Sequence, residues 1–167
     1  MININRVTIH NTNIPPPADK FSKDFARCHV TLLIDFFSGY DQISLDLELR
    51  DLTAIQTLKG LLQQTTLMQG ATNSIAQFQR AMNWILRDHM PRSCRVYLDD
   101  IGVKGPKSDY DNKEALPRVR QYVLKHLITL DGILADLEQA EATILGEKLQ
   151  FCMAVLKIVS YLYDRDS

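Results

Sequence analysis

The sequence has few cysteines, no excess of charge of one sign and no long hydrophobic run. Its three cysteines, Cys28, Cys94 and Cys152, lie far apart and match no Cys-x-x-Cys metal or redox spacing. They are typical of reduced core residues in an intracellular protein. No apolar run approaches the ~20 residues that cross a bilayer, and the N-terminal segment has no basic region followed by an apolar block. We therefore expect neither a membrane span nor secretion.

The near-neutral charge also limits the classes of partner. A formal net charge of −1 provides no global field that would attract a polyanion, so a nucleic-acid contact needs a local basic patch or a neighbouring domain. The chain has 167 residues, of which 46% are hydrophobic and 23% charged. It is long enough for one globular domain that buries roughly two-thirds of the surface exposed by its unfolded chain.

The segment Arg95–Val103 contains two short β-type runs that meet at the adjacent carboxylates Asp99 and Asp100. Branched and aromatic side chains on both sides predict a β-hairpin that presents the two acids together. Two close carboxylates repel each other unless water solvates them or a cation neutralises them, and hard oxygen ligands select Mg²⁺, Mn²⁺ or Ca²⁺. For such a pair taken alone, a solvated acidic turn is the commoner explanation. A partner acid elsewhere in the chain would favour a cation-binding site instead.

The run His29–Asp35 is apolar on successive residues and ends on an acid. This pattern predicts a central strand that is buried on both faces, with Asp35 where the core meets solvent. An acid in that position often has a partner, and the Asp99–Asp100 pair at the end of another apolar run is an available one. The aromatic residues Phe36 and Phe37 that follow are typical of core residues.

Two amphipathic helices are predicted on either side of the hairpin. The first begins at Asn73 or Ser74 and ends before Pro91, and Gln69 and Gly70 lie just before its N-terminus. Its predicted apolar face consists of Ile75, Phe78, Met82, Ile85 and Leu86. The second helix begins near Pro117, with a possible break at Asp131–Gly132. Its predicted stripe consists of Leu116, Val119, Val123, Leu127, Leu130, Leu134 and Leu137.

Three ordered blocks of this sequence resemble the reverse transcriptase of gypsy-type LTR retrotransposons. The blocks are Ile34–Ile43, Gln69–Arg80 and Tyr97–Ile101. The downstream segments 102–107 and 146–152 resemble the fungal kind in particular. A lone Tyr-x-Asp-Asp motif carries little weight, whereas three blocks in this order and spacing are specific. The resemblance extends over nearly the whole chain.

This resemblance implies an α+β fold, the right-hand polymerase palm, in which helices back an antiparallel sheet. Residues 30–167 would form the palm, with a fingers insertion at about residues 45–67. Residues 1–29 would form an N-terminal arm or part of the fingers. We expect the chain to lack the upstream fingers, the thumb, the connection and the ribonuclease H portions.

The resemblance also implies the residues of an RNA-directed DNA polymerase site. Asp35, Asp99 and Asp100 would be the catalytic residues and would bind two Mg²⁺ or Mn²⁺ ions, which promote attack of a primer 3′-hydroxyl on a deoxynucleotide. The nucleotide-binding residues would be Phe36 (through its carbonyl), Phe37, Tyr40, Gln69, Gly70 and Lys148. Tyr40 would crowd a ribose 2′-hydroxyl, and Lys148 would assist the leaving phosphate. An RNA/DNA template-primer would be the polymeric partner.

Two other functions remain open at this level. The chain could be a catalytically silent or domesticated retroelement remnant that binds another protein, or a second copy of itself, through surfaces once covered by fingers and thumb. It could also be a receiver-like phosphoacceptor domain, because an acidic pair, a strand-end aspartate and a lysine also hold Mg²⁺. The receiver fold needs a parallel sheet, so the direction of the strands separates it from a palm.

Overall fold

The computed structural model of the chain describes residues 2–11, 17, 21, 23–153, 155–158 and 161–164. The helices are α1 (Ile2–Val7), α2 (Leu47–Arg50), α3 (Ser74–Ile85) and α4 (Gln121–Gln139). The strands are β1 (Thr31–Asp35), β2 (Ile55–Thr57), β3 (Gly60–Leu62), β4 (Cys94–Tyr97), β5 (Asp100–Lys104), β6 (Glu114–Leu116), β7 (Val119–Arg120), β8 (Gln150–Met153), β9 (Val155–Ile158) and β10 (Tyr161–Asp164). Within these ranges, no helix is long and apolar enough to span a membrane.

Four strands form the main sheet in the order β4-β5-β1-β8, and β1 pairs with both of its neighbours in antiparallel fashion. The apolar run that ends at Asp35 therefore forms a central strand, as its sequence predicts, and Leu32 and Ile34 are fully buried. Strands β4 and β5 are antiparallel as well. This strand direction contradicts the parallel sheet of a receiver-like phosphoacceptor domain, so that alternative is wrong.

Both long helices pack on one face of this sheet. The alternate residues of β1, β4 and β5 form one buried cluster with α3 and α4. From the sheet the cluster includes Leu32, Ile34, Cys94, Val96, Ile101 and Val103, and from the helices Phe78, Met82, Leu130, Ile133 and Leu137. The fold is thus an α+β fold in which helices back an antiparallel sheet, as the family resemblance implies.

The opposite face of the sheet is covered in part by two aromatic residues. Phe21 and Phe25 are buried against Leu33 and Tyr97. Gly102 allows this contact, since a Cβ atom there would lie 2.3 Å from the Phe25 ring. Because neighbouring residues of a strand point to opposite faces, Asp35 and Asp100 also lie on this side, away from the helices.

The predicted limits of the second amphipathic helix are wrong. Leu116 and Val119 lie in the β6–β7 hairpin, whose turn contains Pro117 and Arg118, the latter with a left-handed backbone (φ 63°). The helix α4 therefore begins only at Gln121 and continues without a break through residues 131–132. Leu130 and Leu137 of the predicted stripe are buried, together with His126 and Ile133, whereas Leu127 is 41% exposed.

The helix α3 lies where the sequence predicts it, and Phe78 and Met82 of its predicted apolar face are buried. Ile75 is 42% exposed, whereas Ala76, Phe78, Gln79 and Met82 are buried. The Asn73 side chain makes no capping hydrogen bond to the helix. Its Oδ1 accepts a hydrogen bond from the backbone N–H of residue 11, and its Nδ2 donates to the carbonyl of Ile9. Asn73 thus ties the N-terminal segment to α3.

Candidate active site

The predicted hairpin is present and has a two-residue turn, Leu98–Asp99, between β4 and β5. Leu98 has a positive φ of 55°, a conformation that is uncommon for a residue with a branched side chain. Asp99 is exposed in the turn, and Asp100 is the first residue of β5 and is partly buried. The two acids therefore lie in different environments: Asp99 faces solvent, and Asp100 borders the core.

Asp35 and Asp100 are direct partners across the antiparallel β1–β5 pair. Such partners point to the same face of a sheet, with Cβ atoms about 4.5–5.5 Å apart. Burial raises the pKa of Asp100 to about 6, and the negative charges of Asp99 and Asp35 add to this rise, whereas Lys148 opposes it. The structure thus brings together all three acids predicted from the sequence.

Lys148 approaches the acids from a separate part of the chain. It ends a 3₁₀ turn, Gly146–Lys148, and its Nζ lies 2.8 Å from Oδ2 of Asp35. The backbone holds this turn beside β1, because the N–H of Leu145 donates to the carbonyl of Asp35 at 2.9 Å. The hydrogen bond to Asp35 raises the pKa of Lys148, and the charges of the three acids act in the same direction. Lys148 therefore carries a positive charge beside the acids.

A buried glutamine that the sequence analysis missed supports the hairpin turn. Gln79 on α3 is 4% exposed, and its Nε2 donates to the carbonyl of Val96 at 3.1 Å. Its Oε1 accepts a hydrogen bond from the N–H of Leu98 at 3.2 Å. Gln79 thus fixes both the end of β4 and the strained turn residue next to Asp99. The available signal was its place between the core positions Phe78 and Met82, where a polar residue needs a buried partner.

Tyr40 lies close to the acids and packs on the core. Its ring centroid is 5.1 Å from that of Phe78. Burial raises the pKa of Tyr40, and the charge of Asp99 contributes to the rise. Gly39 permits the close packing, because a Cβ atom there would lie 2.9 Å from Phe78. Tyr40 is therefore held rigidly at the edge of the acidic site.

The other predicted nucleotide-binding residues differ in their burial and in their distance from the acids. The Phe36 side chain is buried in edge-to-face contact with Phe78, whereas Phe37 is 56% exposed. Gln69 and Gly70 are exposed, and Gly70 has a positive φ of 82°. In the described part of the chain, no hydrogen bond or ion pair joins Phe37, Gln69 or Gly70 to the acids. The structure thus unites Asp35, Asp99, Asp100, Tyr40 and Lys148, but not these three residues.

The carboxylate oxygens of Asp35, Asp99 and Asp100 are suitable ligands for a hard divalent cation. Burial is the main cause of the raised pKa of Asp100, and the repulsion from Asp99 and Asp35 that adds to it is what such a cation would relieve. Within the ranges described, no three His, Cys, Asp or Glu side chains converge on a single metal position. Mg²⁺ commonly uses only one or two carboxylates and takes its other ligands from water and substrate phosphates. The acids therefore suit an ion that arrives with a phosphate ligand.

Comparison with protein-family models gives a match over residues 4–162 to the family described as reverse transcriptase (RNA-dependent DNA polymerase). Among curated proteins of Drosophila melanogaster, the Retrovirus-related Pol polyprotein from transposon 297 is 36% identical over 98 residues, 59% of this chain and 9% of that protein. The polyprotein from transposon opus is 29% identical over 163 residues, 98% of this chain and 15% of that protein. The chain spans only a small part of these relatives.

The polyprotein from transposon gypsy of the same organism is 23% identical over 163 residues, 98% of this chain and 14% of that protein. These relatives confirm the likeness to gypsy-type retrotransposons. The fungal kinship stays a prediction. The alternative of a catalytically silent binding module is not favoured by these matches.

Solved structures share the fold. The foamy viral protease-reverse transcriptase in complex with an RNA/DNA hybrid superimposes with a TM-score of 0.78 at 17% identity, over 97% of this chain and 20% of that chain. The same viral protein in complex with double-stranded DNA gives a TM-score of 0.78 at 17% identity, over 98% of this chain and 31% of that chain. At this level of identity, the superposition shows the fold alone.

Proposed function

The chain belongs to the reverse transcriptase family, and from this premise we propose that it forms the catalytic palm of an RNA-directed DNA polymerase. It would add deoxynucleotides to a primer 3′-hydroxyl on an RNA or DNA template. The observation that carries this proposal is the juxtaposition of Asp35 and Asp100 across β1 and β5, with Asp99 in the adjoining turn. Residues 30–167 would form the palm, residues 45–67 the fingers insertion and residues 1–29 an arm.

Each of the three acids has its own part in this proposal. Two Mg²⁺ or Mn²⁺ ions held by Asp35, Asp99 and Asp100 would neutralise phosphate charge and lower the pKa of the primer hydroxyl. Asp99 is exposed and can reach an incoming substrate, whereas Asp100 is anchored at the start of β5. Asp35 is paired with the Lys148 ammonium and would give up this contact when it binds a metal ion.

The remaining residues would select and position the nucleotide. Tyr40 is fixed against Phe78, so it presents a rigid wall that would exclude a ribose 2′-hydroxyl. The charged Lys148 would donate a hydrogen bond to the leaving pyrophosphate, where negative charge develops. The exposed Gln69, Gly70 and Phe37 would contact the nucleotide from the rim, and the backbone carbonyl of Phe36 would face the metal site. We assign the template-primer and the deoxynucleotide as ligands on this basis.

The proposal extends to the origin and setting of the chain. The downstream segments 102–107 and 146–152 support the fungal kind of gypsy-type element. Cys28 and Cys94 are buried free thiols, which supports a reducing, intracellular location. A partner protein or a second copy of the chain would cover exposed apolar residues outside the palm, among them Leu58 and Leu61.

Primer extension on an RNA template tests this function. The protein is incubated with an annealed DNA primer, deoxynucleotides and either Mg²⁺ or Mn²⁺, beside the variant Asp99→Asn, which keeps the size of the side chain and removes its charge. We expect extension by the wild-type protein and none by the variant. Equal extension by both proteins, or none by a wild-type protein whose fold is verified by circular dichroism, would reject the proposed activity of this chain.

A further inference from the structure

The turn that carries Lys148 interrupts a strand pairing. Residues 143–145 run antiparallel to the end of β1 and are joined to it by a bridge between Phe36 and Ile144. Beyond Lys148, the strand β8 pairs with β1 again. The 3₁₀ turn that ends at Lys148 therefore lies between two paired stretches. Like a β-bulge, it is an insertion in a ladder that aims one side chain at its neighbour.

One side chain closes the upstream end of this turn. Gln42 donates from Nε2 to the carbonyl of Thr143 at 2.8 Å, and its Oε1 accepts from the N–H of Thr143 at 2.7 Å. The same Nε2 also donates to the carbonyl of Phe37 at 2.5 Å. Gln42 and Thr143 are 101 positions apart in the chain. These hydrogen bonds therefore join two segments that no local structure connects.

The orientation of the Gln42 amide is set by its partners. Nε2 faces two carbonyl oxygens and Oε1 faces one N–H, so every contact pairs a donor with an acceptor. In the flipped amide, the side-chain oxygen would lie against both carbonyl oxygens and the nitrogen against the N–H. Only one orientation of the amide thus satisfies all three contacts.

Gln42 is held in turn by a part of the site that packs on the core. It is the last residue of the 3₁₀ turn Gly39–Gln42, in which the ring of Tyr40 contacts Phe78. Its hydrogen bond to the carbonyl of Phe37 closes the loop that this turn belongs to. Through Gln42, the segment that leads to Lys148 is therefore attached to a firmly packed loop.

We propose that Gln42 is a positioning residue that holds Lys148 against Asp35. The Lys148 side chain is 61% exposed, and an exposed ion pair on a long side chain is weak by itself. Its geometry thus depends on the backbone that carries the lysine. Gln42 fixes the upstream end of that backbone at Thr143, and β8 fixes the downstream end. The proposed function assigns no role to Gln42, and the effect of Gln42 on catalysis rests on that function.

The reactivity of the Lys148 amine tests this contact without catalysis. The full chain is labelled briefly with an amine-acylating reagent, and peptide mass spectrometry compares the modified fraction of Lys148 with that of the exposed Lys107. Only the unprotonated amine reacts, and the hydrogen bond to Asp35 raises the pKa of Lys148. In Gln42→Leu the ratio of the two fractions should rise by about two- to fivefold, the range for the loss of an exposed ion pair.

Three further variants complete this test. Asp35→Asn removes the partner carboxylate and gives the labelling of a fully released Lys148. Gln42→Met keeps the length of the side chain, removes its hydrogen bonds and should raise the ratio as Gln42→Leu does. Gln139→Leu changes an exposed residue at the end of α4 and should keep the wild-type ratio. Gln42 is exposed, so its replacement leaves the core intact. A wild-type ratio in either Gln42 variant would overturn the proposal.

Primer extension measures the consequence for catalysis. Because Gln42 acts through Lys148, Gln42→Leu should lower kcat by no more than Lys148→Ala does and should leave KM for the template-primer nearly unchanged. Adding Gln42→Leu to Lys148→Ala should then cause little further loss. Losses that multiply in the double variant would show that Gln42 acts elsewhere and would overturn the proposal.

The two measurements separate this inference from the proposed function. Increased labelling of Lys148 in Gln42→Leu, without primer extension by the wild-type protein, would support positioning by Gln42 and reject the proposed function. Primer extension by the wild-type protein, with an unchanged labelling ratio in Gln42→Leu, would support the proposed function and reject positioning by Gln42.

Discussion

The Oε1 atom of Gln79 accepts a hydrogen bond from the N–H of Leu98 at 3.2 Å, and this contact joins the buried face of α3 to the turn that carries Asp99. Leu98 is held in a left-handed conformation, which a leucine adopts only when its surroundings impose it. Gln79 is thus a positioning residue, since it acts on the site through the turn and does not itself reach substrate.

Replacing Gln79 should therefore affect both stability and activity. Gln79→Leu keeps the volume but leaves the Leu98 N–H and the Val96 carbonyl without their partner. We expect a loss of about 1–3 kcal/mol in the free energy of unfolding, measured by denaturant titration. Primer extension should fall further than the unfolded fraction explains. The exposed Gln139→Leu is the control, and equal behaviour of the two variants would contradict this role.

The position of Gly102 predicts a defined steric effect. In Gly102→Ala, the new Cβ would lie 2.3 Å from the Phe25 ring, so the variant should lose about 1–3 kcal/mol of unfolding free energy. Phe25→Leu removes the obstructing ring. In thermal or denaturant unfolding, the double variant should be more stable than the sum of the single effects predicts. Strict additivity would show that Phe25 does not pack on this face of the sheet.

His126 should make stability depend on pH. It is 1% exposed, and neither ring nitrogen has a hydrogen-bond partner among the described residues. Burial lowers the pKa of His126 below its ordinary value, and the nearby backbone of Lys104, which lies outside good hydrogen-bond geometry, opposes this only in part. The unfolded chain therefore binds a proton more readily, so the stability present above about pH 6.5 should decline as the pH falls towards the folded-state pKa, by at most about 1.4 kcal/mol per pH unit.

The measurement for His126 is a set of denaturant titrations between pH 5 and pH 8. His126→Leu cannot take up the proton, so its stability should fall less with acidification than that of the wild-type protein. The difference between the two proteins isolates His126 from the other titrating groups, including Asp100. An equal loss of unfolding free energy on acidification in the wild-type protein and in His126→Leu would contradict the prediction.

Lys148 should matter for catalysis and not for folding. Its side chain is exposed and bound to Asp35, so Lys148→Ala should leave the melting temperature nearly unchanged. The rate of primer extension should fall by about tenfold or more, since a charge beside the leaving phosphate is lost. Lys148→Arg should retain part of the rate, and the exposed Lys107→Ala should retain all of it. An unchanged rate in Lys148→Ala would remove this residue from the mechanism.

The sequence predicts those parts of the fold that depend on local pattern. The apolar run that ends at Asp35 and the hairpin around Asp99 carry their hydrophobic signal within a few residues, and the structure confirms both. The predicted start of α4 is wrong, because the apolar spacing of Leu116 and Val119 matches the helical period although a short hairpin forms there, with its turn at Pro117.

The supporting residues of the site were harder to predict from the sequence. Gln79 is a polar residue on a buried helix face, and only the tertiary partners Val96 and Leu98 explain it. Lys148 meets Asp35 across 113 positions of the chain, so no local pattern indicates that the two form an ion pair. The family resemblance indicates Lys148 through its motif, whereas for Gln79 the only sequence signal is its place between the core positions Phe78 and Met82.

The central claim is that the three acids bind divalent metal for nucleotide transfer. The most direct test measures the binding of Mn²⁺ in the presence of a deoxynucleotide, from the electron paramagnetic resonance signal of free Mn²⁺. We expect saturable Mn²⁺ binding by the wild-type protein and a loss of about tenfold or more in affinity in Asp35→Asn and in Asp99→Asn. The control Asp41→Asn alters an exposed acid of the nearby 3₁₀ turn and should leave the affinity unchanged. Equal Mn²⁺ binding by all four proteins would contradict the account.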